Sequence, residues 1–297
     1  MVYFWYNIRI YMKFILIHII VLSCLTSFAQ VKVLKIADLP NRMYETSGLA
    51  LFNNKYLITH NDGGNKSEIY VLNLKGELLK TIDIDESKNL DWEDLAQDDK
   101  GKLYIGDFGN NLNKRLKNRI YILKPNFIND PNKRVNAKKI TFVYEDQKHF
   151  PPAKKNLNYD AEAFFWMNDS LYILTKCRTK PFTGISNIYV VPDKPGNYLA
   201  KKLGSIQFCK THWQWCSVTS ADYNTKKNEL TVLTYSRLYI ISDFEGHRFW
   251  EGKMKSYNLT KIKQREAICY KNKNSWYMTD EYRKGIGGGN LYEIKLK

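Results

Sequence analysis

The sequence predicts an all-β fold, a five-bladed β-propeller closed by an N-terminal strand. The first observation behind this prediction is a short segment that recurs five times, each copy followed by two further apolar runs. The second is that these runs are short and rich in Tyr, Ile, Leu, Val and Thr, whereas no segment keeps a helical period. Four-stranded units that repeat about every 50 residues are typical of propeller blades. A β-sandwich, the alternative, explains the strands but not a five-fold repeat.

The five copies share one column of oxygen-bearing side chains. They read ETSGLA (45–50), DWEDLA (91–96), DAEAFF (160–165), VTSADY (218–223) and QREAIC (264–269). The third position of each copy gives the column, which consists of Ser47, Glu93, Glu162, Ser220 and Glu266. Because the first strand of a propeller blade lines the central channel, these five side chains are expected to face one axis.

Each blade is expected to contain four strands, named A to D from the channel outward. D strands are recognisable at 78–84, 138–144, 198–206 and, less clearly, 252–259. The fifth blade ends without a D strand, and residues 31–37 are expected to supply it, since closing the last blade removes an open sheet edge. The segments 124–159 and 242–263 hold no sixth copy of the column motif, so five blades are predicted.

The N-terminal residues 1–29 are predicted to be a signal peptide, and residues 30–297 a single propeller domain. Residues 13–29 contain a lysine followed by an apolar stretch, and Ser27-Phe28-Ala29 is a small-x-small cleavage site. Met12 is an alternative start for the chain. The expectation is therefore a secreted or periplasmic protein with no stable membrane insertion after cleavage.

Two alternatives concern the same apolar segment. Cys24 would carry a lipid in a lipoprotein, but VLSC is a poor lipobox. An uncleaved anchor is the other alternative, although the stretch is short for a bilayer.

The chain is strongly basic, with a formal net charge of +16. Loss of residues 1–29 removes Arg9 and Lys13 and no acid, which leaves +14. Such a charge attracts anionic partners, although lysine-rich surfaces also serve solubility. No basic run is interleaved with aromatic residues, so nucleic acid is not an expected partner. The expected partner is a small anionic, phosphorylated substrate, and the expected state is a monomer.

Four cysteines remain after the signal peptide, and their spacing fits no zinc pattern. A secreted protein permits disulfides, and four cysteines allow three connectivities. Cys209 and Cys216 could close one loop, while buried free thiols are the alternative for these two and for Cys177 and Cys269.

The column predicts a calcium site formed by Ser47, Glu93, Glu162, Ser220 and Glu266. Three carboxylates that face each other across a narrow channel should have raised pKa values or require a counter-charge. Carboxylates and hydroxyls are the hard oxygen ligands that Ca²⁺ takes, whereas Mg²⁺ prefers a tighter geometry with few carboxylates. The alternative is a ring of hydrogen-bonded or partly protonated acids around ordered water.

The loops between the B and C strands are mostly long and glycine-rich, which marks their rim as the working face. The acids expected to orient water on this rim are Asp62, Asp107 and Glu281. The cations expected to bind phosphate are Arg115, Lys176, Arg178, Arg237 and Arg283. A metal ion and these cations would neutralise the charge on phosphoryl oxygens. The chain contains no GxSxG, HExxH or Walker-type sequence.

The order Ser, Glu, Glu, Ser, Glu in the column resembles the central calcium site of the calcium-activated nucleotidase (apyrase) family. The resemblance implies a secreted five-bladed propeller that hydrolyses phosphoanhydrides or phosphoesters with calcium. Asp62 lies where that family has an acidic catalytic segment, but Gly63-Gly64 stand in place of the Arg that follows there. The DWEDLA and GDFGNN segments also resemble a group of uncharacterised secreted bacterial propellers.

Two functional hypotheses follow from these residues. The first is a calcium-dependent hydrolase of phosphoanhydride or phosphoester substrates. The alternative is a non-catalytic binding propeller that docks a glycan or a protein, with calcium as a structural ion. Gly63-Gly64 is the feature that favours the second.

Overall fold

The computed structural model describes residues 31–131, 133–259 and 263–296. The predicted signal peptide, with Cys24, lies outside the described residues. The regular structure within these ranges is almost entirely β-strand, with one short α-helix, α1 (Trp213–Cys216). Four single-turn 3₁₀ helices in the same ranges span Asn41–Met43, Phe127–Asn129, Lys154–Asn156 and Phe249–Glu251. None of these helices is long and apolar enough to cross a membrane.

The strands, numbered along the chain, form the predicted four-stranded antiparallel blades. Blade 1 contains β2 (Thr46–Phe52), β3 (Tyr56–Asn61), β4 (Glu68–Leu72) and β5 (Leu78–Asp85). Blade 2 contains β6 (Trp92–Gln97), β7 (Leu103–Asp107), β8 (Asn118–Leu123) and β10 (Lys138–Tyr144). Blade 3 contains β11 (Asp160–Met167), β12 (Ser170–Lys176), β13 (Ile185–Pro192) and β14 (Gly196–Gln207). Blade 4 contains β15 (Val218–Asn224), β16 (Glu229–Thr234), β17 (Arg237–Ser242) and β18 (Lys253–Asn258). Blade 5 contains β19 (Arg265–Asn272), β20 (Ser275–Asp280), β21 (Asn290–Leu296) and β1 (Val31–Asp38).

The five A strands of the described chain form a closed ring. Each packs against the next in the order β2, β6, β11, β15 and β19, and β19 packs against β2. The ring is completed as predicted by the N-terminal strand, because β1 pairs antiparallel with β21, from Val31 opposite Leu296 to Asp38 opposite Asn290. The chain is therefore a β-propeller, and in its described part both ends of the polypeptide share one blade.

Hydrophobic cores lie between neighbouring blades rather than at the centre of the ring. Phe164 packs in the cluster between blades 2 and 3, while Phe165 packs in the cluster between blades 3 and 4. Successive side chains of a strand point to opposite faces, so a strand buried on both faces needs apolar residues at consecutive positions. This explains why the sequence of β11 is continuously apolar after its acids. Similar clusters lie at the three remaining blade interfaces.

Two strand pairings were not predicted from the sequence. Strand β14 pairs in parallel with β10, from Gly196 opposite Ile140 to Ala200 opposite Tyr144, so the outer edges of blades 2 and 3 are joined. Strand β9 (Arg134–Asn136) pairs in parallel with β5 and adds an outermost strand to blade 1. Both pairings use strands from residues 124–159, the long segment before blade 3. They cover sheet edges that would otherwise present unpaired backbone groups.

The rim where A strands start and B strands end, hereafter the site rim, carries the long loops as predicted. They comprise residues 62–67, 108–117, 177–184 and 281–289, whereas the turns between the A and B strands, on the opposite rim, are short. Blade 4 differs, because only residues 235 and 236 join its B and C strands. Tyr235 of this turn and α1, which precedes β15 by one residue, form this part of the site rim.

One disulfide fixes the connection that carries α1. Cys209 and Cys216 are bonded, with their Cα atoms 5.3 Å apart, so the loop-closing alternative for this pair is confirmed. Cys177 and Cys269 are buried free thiols.

Candidate functional site

The site rim holds a cavity at the mouth of the central channel, hereafter the acidic cavity. Its acidic lining includes Asp62, Glu93, Glu162 and Glu266. Its basic lining consists of Lys176, Arg178 and Arg283. Each glutamate is the third residue of a column motif at the start of an A strand, and each cation follows the end of a B strand or terminates it. The fold thus brings the three column glutamates and three of the five candidate phosphate-binding cations to one cavity.

Lys176 supplies a counter-charge to the column. Its ammonium group is 2.9 Å from Glu162 Oε1 and donates a hydrogen bond of 3.1 Å to the Tyr235 hydroxyl. Burial alone would lower the pKa of this lysine, but the charges of Glu162, Tyr235 and Glu266 together outweigh burial and hold the pKa well above its usual range. A permanently charged ammonium therefore lies among the glutamates at the channel mouth.

Arg178 neutralises a second acid of blade 3. Its Nε donates to Asp160 Oδ2 at 2.6 Å, and its Nη2 lies 3.3 Å from Glu162 Oε1. Asp160 Oδ1 also accepts a hydrogen bond of 2.6 Å from the Asn110 amide. Burial and the neighbouring Glu162 raise the pKa of Asp160 to about 6, against the opposing effect of Arg178 and Lys176. The acids of blade 3 are therefore held by two cations.

The acids at the junction of blades 1 and 2 are arranged differently. One carboxylate oxygen from each of Asp62, Asp91 and Glu93 lies within 4.8 Å of the others. Burial, followed by the charges of Glu162 and Asp62, raises the pKa of Glu93 well above its usual range, and burial raises the pKa of Asp91 to about 7. Burial likewise raises the pKa of Asp62. In the described part of the chain none of the three forms an ion pair, so this group, hereafter the carboxylate triad, lacks a counter-charge of its own.

Two glycines leave room for the carboxylate triad. A Cβ atom on Gly109 would overlap Glu93 Oε1 and the Asp91 carboxyl group, and one on Gly63 would overlap Asp91 Oδ1. Neither glycine has the positive φ that would by itself require the residue. The requirement is instead one of space, which gives a physical reason for Gly63 beside Asp62.

The two column serines do not reach the acidic cavity. Ser47 Oγ donates to the carbonyl oxygen of Glu93 at 2.6 Å, which ties blade 1 to blade 2. Ser220 Oγ donates to Asp94 Oδ1 at 2.9 Å. The structure therefore divides the predicted metal column into three cavity glutamates and two serines that hydrogen-bond to other A strands of the ring.

Asp94 is a buried acid of the inner ring that the sequence did not single out. Its carboxylate accepts hydrogen bonds from Ser220 Oγ and from the backbone amides of Leu95, Phe164 and Ala221. Burial raises the pKa of Asp94 well above its usual range, although these hydrogen bonds oppose that shift. The carboxyl group thus links the A strands of blades 2, 3 and 4.

Asp107 and Arg115 lie behind the carboxylate triad rather than in the cavity. The Arg115 guanidinium is 2.9 Å from Asp107 Oδ1 and donates to the Gly109 carbonyl oxygen at 3.2 Å. Asp107 is fully buried, also faces Arg119, and accepts a hydrogen bond of 3.0 Å from the Asp91 amide. The pair therefore fixes the backbone that carries Asp91 and Gly109.

The remaining predicted site residues lie to the side of the triad. Glu281 bonds to Gln264 and Glu266, and burial raises its pKa to about 7 while Arg283 opposes that shift. Arg283 is exposed and lines the cavity. Arg237, at the start of β17, is not among the residues that line the acidic cavity.

Sequence reasoning missed Asp91 and Asp160, although a signal for both was present. They stand two positions before Glu93 and Glu162, and side chains two apart in a strand share a face. Reading the same position in every copy gives Glu45, Asp91, Asp160, Val218 and Gln264. This second column predicts four further polar groups nearer the site rim, with Val218 as the exception. Trp213 and Tyr235, which also line the cavity, carry no comparable signal in the sequence.

Comparisons with known proteins locate similar folds only. No protein-family model and no curated protein matches the chain. An aldose sugar dehydrogenase from Streptomyces coelicolor shares 10% identity over 91% of this chain and 99% of its own, with a TM-score of 0.49. A putative glucose dehydrogenase from Thermus thermophilus shares 12% identity over 90% of this chain and 100% of its own, with a TM-score of 0.47. A gluconolactonase from Xanthomonas campestris shares 12% identity over 85% of this chain and 72% of its own, with a TM-score of 0.45. Nothing about activity follows at this level, and the propeller assignment rests on the strand pairings described above.

Proposed function

We propose that this chain is a calcium-dependent hydrolase of phosphoanhydride or phosphoester substrates, with the ion held by Asp62, Asp91 and Glu93. The observation that carries the proposal is the carboxylate triad, whose oxygens lie within 4.8 Å of one another without a protein cation against them. Cations that could bind an anionic substrate line the same cavity. The resemblance of the column to calcium-activated nucleotidases supports the same chemistry, although the proposed ligand set shares only Glu93 with that column.

The donor atoms of the triad fit a hard divalent cation. Carboxylate oxygens without histidine or cysteine suit calcium or magnesium, and three carboxylates at one site favour calcium. Mutual repulsion and burial disfavour three negative charges here, and a divalent cation would offset both effects. When bound, such an ion supplies Lewis-acid polarisation of a phosphoryl oxygen and an activated water.

The neighbouring residues have separate roles in this proposal. Arg283 is exposed and can donate to phosphoryl oxygens, which charge-assisted hydrogen bonds bind well. Arg178 and Lys176 add positive potential but are already bonded to Asp160 and Glu162. Glu281, which lies beside Glu266, is the candidate to accept a proton from water. Asp107 is a positioning residue, since it bonds to the Asp91 amide from behind.

Phosphate release from a panel of phosphoanhydrides and phosphoesters, with calcium or with chelator, tests the proposal. We expect release that requires calcium, and Asp91→Asn should abolish both the release and calcium binding measured by calorimetry. Asp99→Asn is the matched control, because Asp99 is an exposed acid in the turn on the opposite rim. Calcium-independent release, or full calcium binding by Asp91→Asn, would contradict the proposal.

A non-catalytic binding propeller is the second candidate. It is favoured by the commitment of Lys176 and Arg178 to acids of the protein itself, which leaves fewer cations for a phosphoryl group. Calcium binding by the triad without release from any phosphorylated compound would favour this function.

A further inference from the structure

A second cavity on the site rim adjoins the acidic cavity. Trp213, Tyr235, Gln264 and Arg283 line both cavities, so the two are continuous. The second, hereafter the aromatic cavity, is completed by Gln214, Lys263 and the glycine-rich loop that contains Ile286. A molecule that reaches the carboxylate triad therefore has a path along Trp213 and Arg283.

The lining of the aromatic cavity is unusual for an exposed surface. The Trp213 side chain is 46% exposed and that of Ile286 is 64% exposed, although both are large and apolar. Two carboxamides, from Gln214 and Gln264, border these apolar groups. Ligand sites typically combine apolar walls with a few polar groups that fix orientation.

Helix α1 holds Trp213 in place before any ligand binds. The Cys209–Cys216 disulfide closes the loop that carries the helix. Ser217 Oγ donates to the Trp213 carbonyl oxygen at 2.8 Å, and Ser236 Oγ donates to the Trp215 carbonyl oxygen at 2.9 Å. These bonds fix the backbone that carries Trp213, which reduces the conformational entropy lost when a ligand binds to its indole.

We propose that the aromatic cavity binds a ring-shaped organic group, attached to the anionic group that occupies the acidic cavity. An aryl ring and a sugar ring share the required chemistry, because both present a flat face with C–H or π surface to an indole. Gln214 and Gln264 would hydrogen-bond to hydroxyls of such a ring, and Arg283 lies where ring and anion join. Only the placement of the anionic group rests on the proposed function.

Binding of non-hydrolysable phosphonates by the calcium-loaded full chain tests this inference. The probes are phenylphosphonate, the phosphonate analogue of glucose 1-phosphate, and butylphosphonate, with affinities measured by calorimetry. Stacking on Trp213 should make at least one ring-bearing probe bind about 10-fold more tightly than the linear probe. The ring-bearing probe that binds more tightly shows whether the group in the aromatic cavity is an aryl ring or a sugar ring.

Variants of α1 give the matched comparison. Trp213→Ala should remove the preference for a ring, so that the ring-bearing probes bind this variant no more tightly than butylphosphonate does. Trp215→Ala is the control, because Trp215 is 42% exposed on the same helix but is not among the residues that line either cavity. The double variant Cys209→Ser/Cys216→Ser should weaken the preference without removing it, since the indole remains.

The outcomes for this inference and for the proposed function are separable. Ring preference that depends on Trp213, in a protein that releases no phosphate from any substrate, would support the inference and count against the hydrolase. Phosphate release that is equal for ring-bearing and linear substrates, and unchanged in Trp213→Ala, would overturn the inference alone. Equal binding of all three probes, or no binding of any, would also overturn it.

Discussion

The acids at the mouth of the central channel form two halves that begin from the same sequence pattern and reach different electrostatic states. Blade 2 contributes Asp91 and Glu93, and blade 3 contributes Asp160 and Glu162, in each case as Asp-x-Glu at the start of an A strand. In blade 3 both acids bond to cations, whereas in blade 2 neither does. The difference arises on the adjacent B strand rather than in the repeated motif.

The strand register identifies the residues responsible. Trp92 lies opposite Asp107 in blade 2, and Ala161 lies opposite Thr175 in blade 3. The residues that follow are Phe108 and Gly109 in one blade, and Lys176 and Cys177 in the other. Phe108 is buried in the core between blades, so blade 2 has no cation where blade 3 has Lys176. Blade 3 thus has Lys176 at the end of its B strand and Arg178 two residues later. Blade 2 has Phe108 and Asn110 at these positions, so its carboxylate pair has no counter-charge from the protein.

The largest expected effect comes from removing the counter-charge of the blade 3 half. Lys176→Met leaves the buried Glu162 carboxylate with only the longer, 3.3 Å contact to Arg178. This loss should destabilise the protein by about 3–5 kcal/mol in urea unfolding. Lys176→Met combined with Glu162→Gln should recover much of that loss, because no unpaired charge remains. Exposed ion pairs contribute less than about 1 kcal/mol to the free energy of unfolding. A loss of that size in Lys176→Met would mean that the blade 3 half does not depend on a buried counter-charge.

The second prediction concerns calcium and the blade 2 half. Calcium at about 100 times its dissociation constant should stabilise the wild type by about 2.7 kcal/mol, because the ion binds only the native protein. Asp91→Asn should lose this increment and be no less stable than the wild type in chelator, since one repelling charge is removed. Asp160→Asn should keep the calcium increment but be less stable under both conditions, because Arg178 loses its partner. Equal responses of the two variants in melting experiments would remove the distinction between the halves.

Steric room around the triad gives a smaller effect. Gly109→Ala places a methyl group on the oxygens of Glu93 and Asp91, which should cost about 1–3 kcal/mol and weaken calcium binding. Gly204→Ala is the control, because its Cβ would meet only the Trp250 ring at 3.4 Å, an ordinary contact. Unchanged calcium affinity in Gly109→Ala, measured by calorimetry, would show that the carboxylates do not need this space.

The five-fold repeat made the fold predictable from the sequence. The site was predictable only for those residues that occupy a repeated position. Blade order and closure by residues 31–37 could be predicted because each depends on local strand patterns and on an otherwise open edge. The glutamates could be placed at the channel mouth for the same reason. The pairing of Lys176 with Glu162, and the absence of such a partner for Glu93, depend on contacts between strands that one column does not encode. The aromatic wall depends on α1, which interrupts the repeat and has no counterpart in the other blades of the described chain.

An acid outside both halves separates the effect of burial from that of neighbouring carboxylates. Asp222, on β15, accepts a hydrogen bond of 2.7 Å from the Tyr270 amide and lies near Cys269. Burial raises its pKa from 3.8 to about 7, so the folded protein binds a proton more tightly than the unfolded chain does.

The contribution of Asp222 to stability is therefore most favourable below pH 3.8 and declines as the pH rises from there to about 7. Asp222→Asn should remove that decline, which makes the variant more stable than the wild type at pH 8 by a few kcal/mol, relative to their difference at pH 4. Urea unfolding of both proteins at the two pH values, in chelator, measures the change, and a constant difference between them would mean that burial does not shift this carboxyl group.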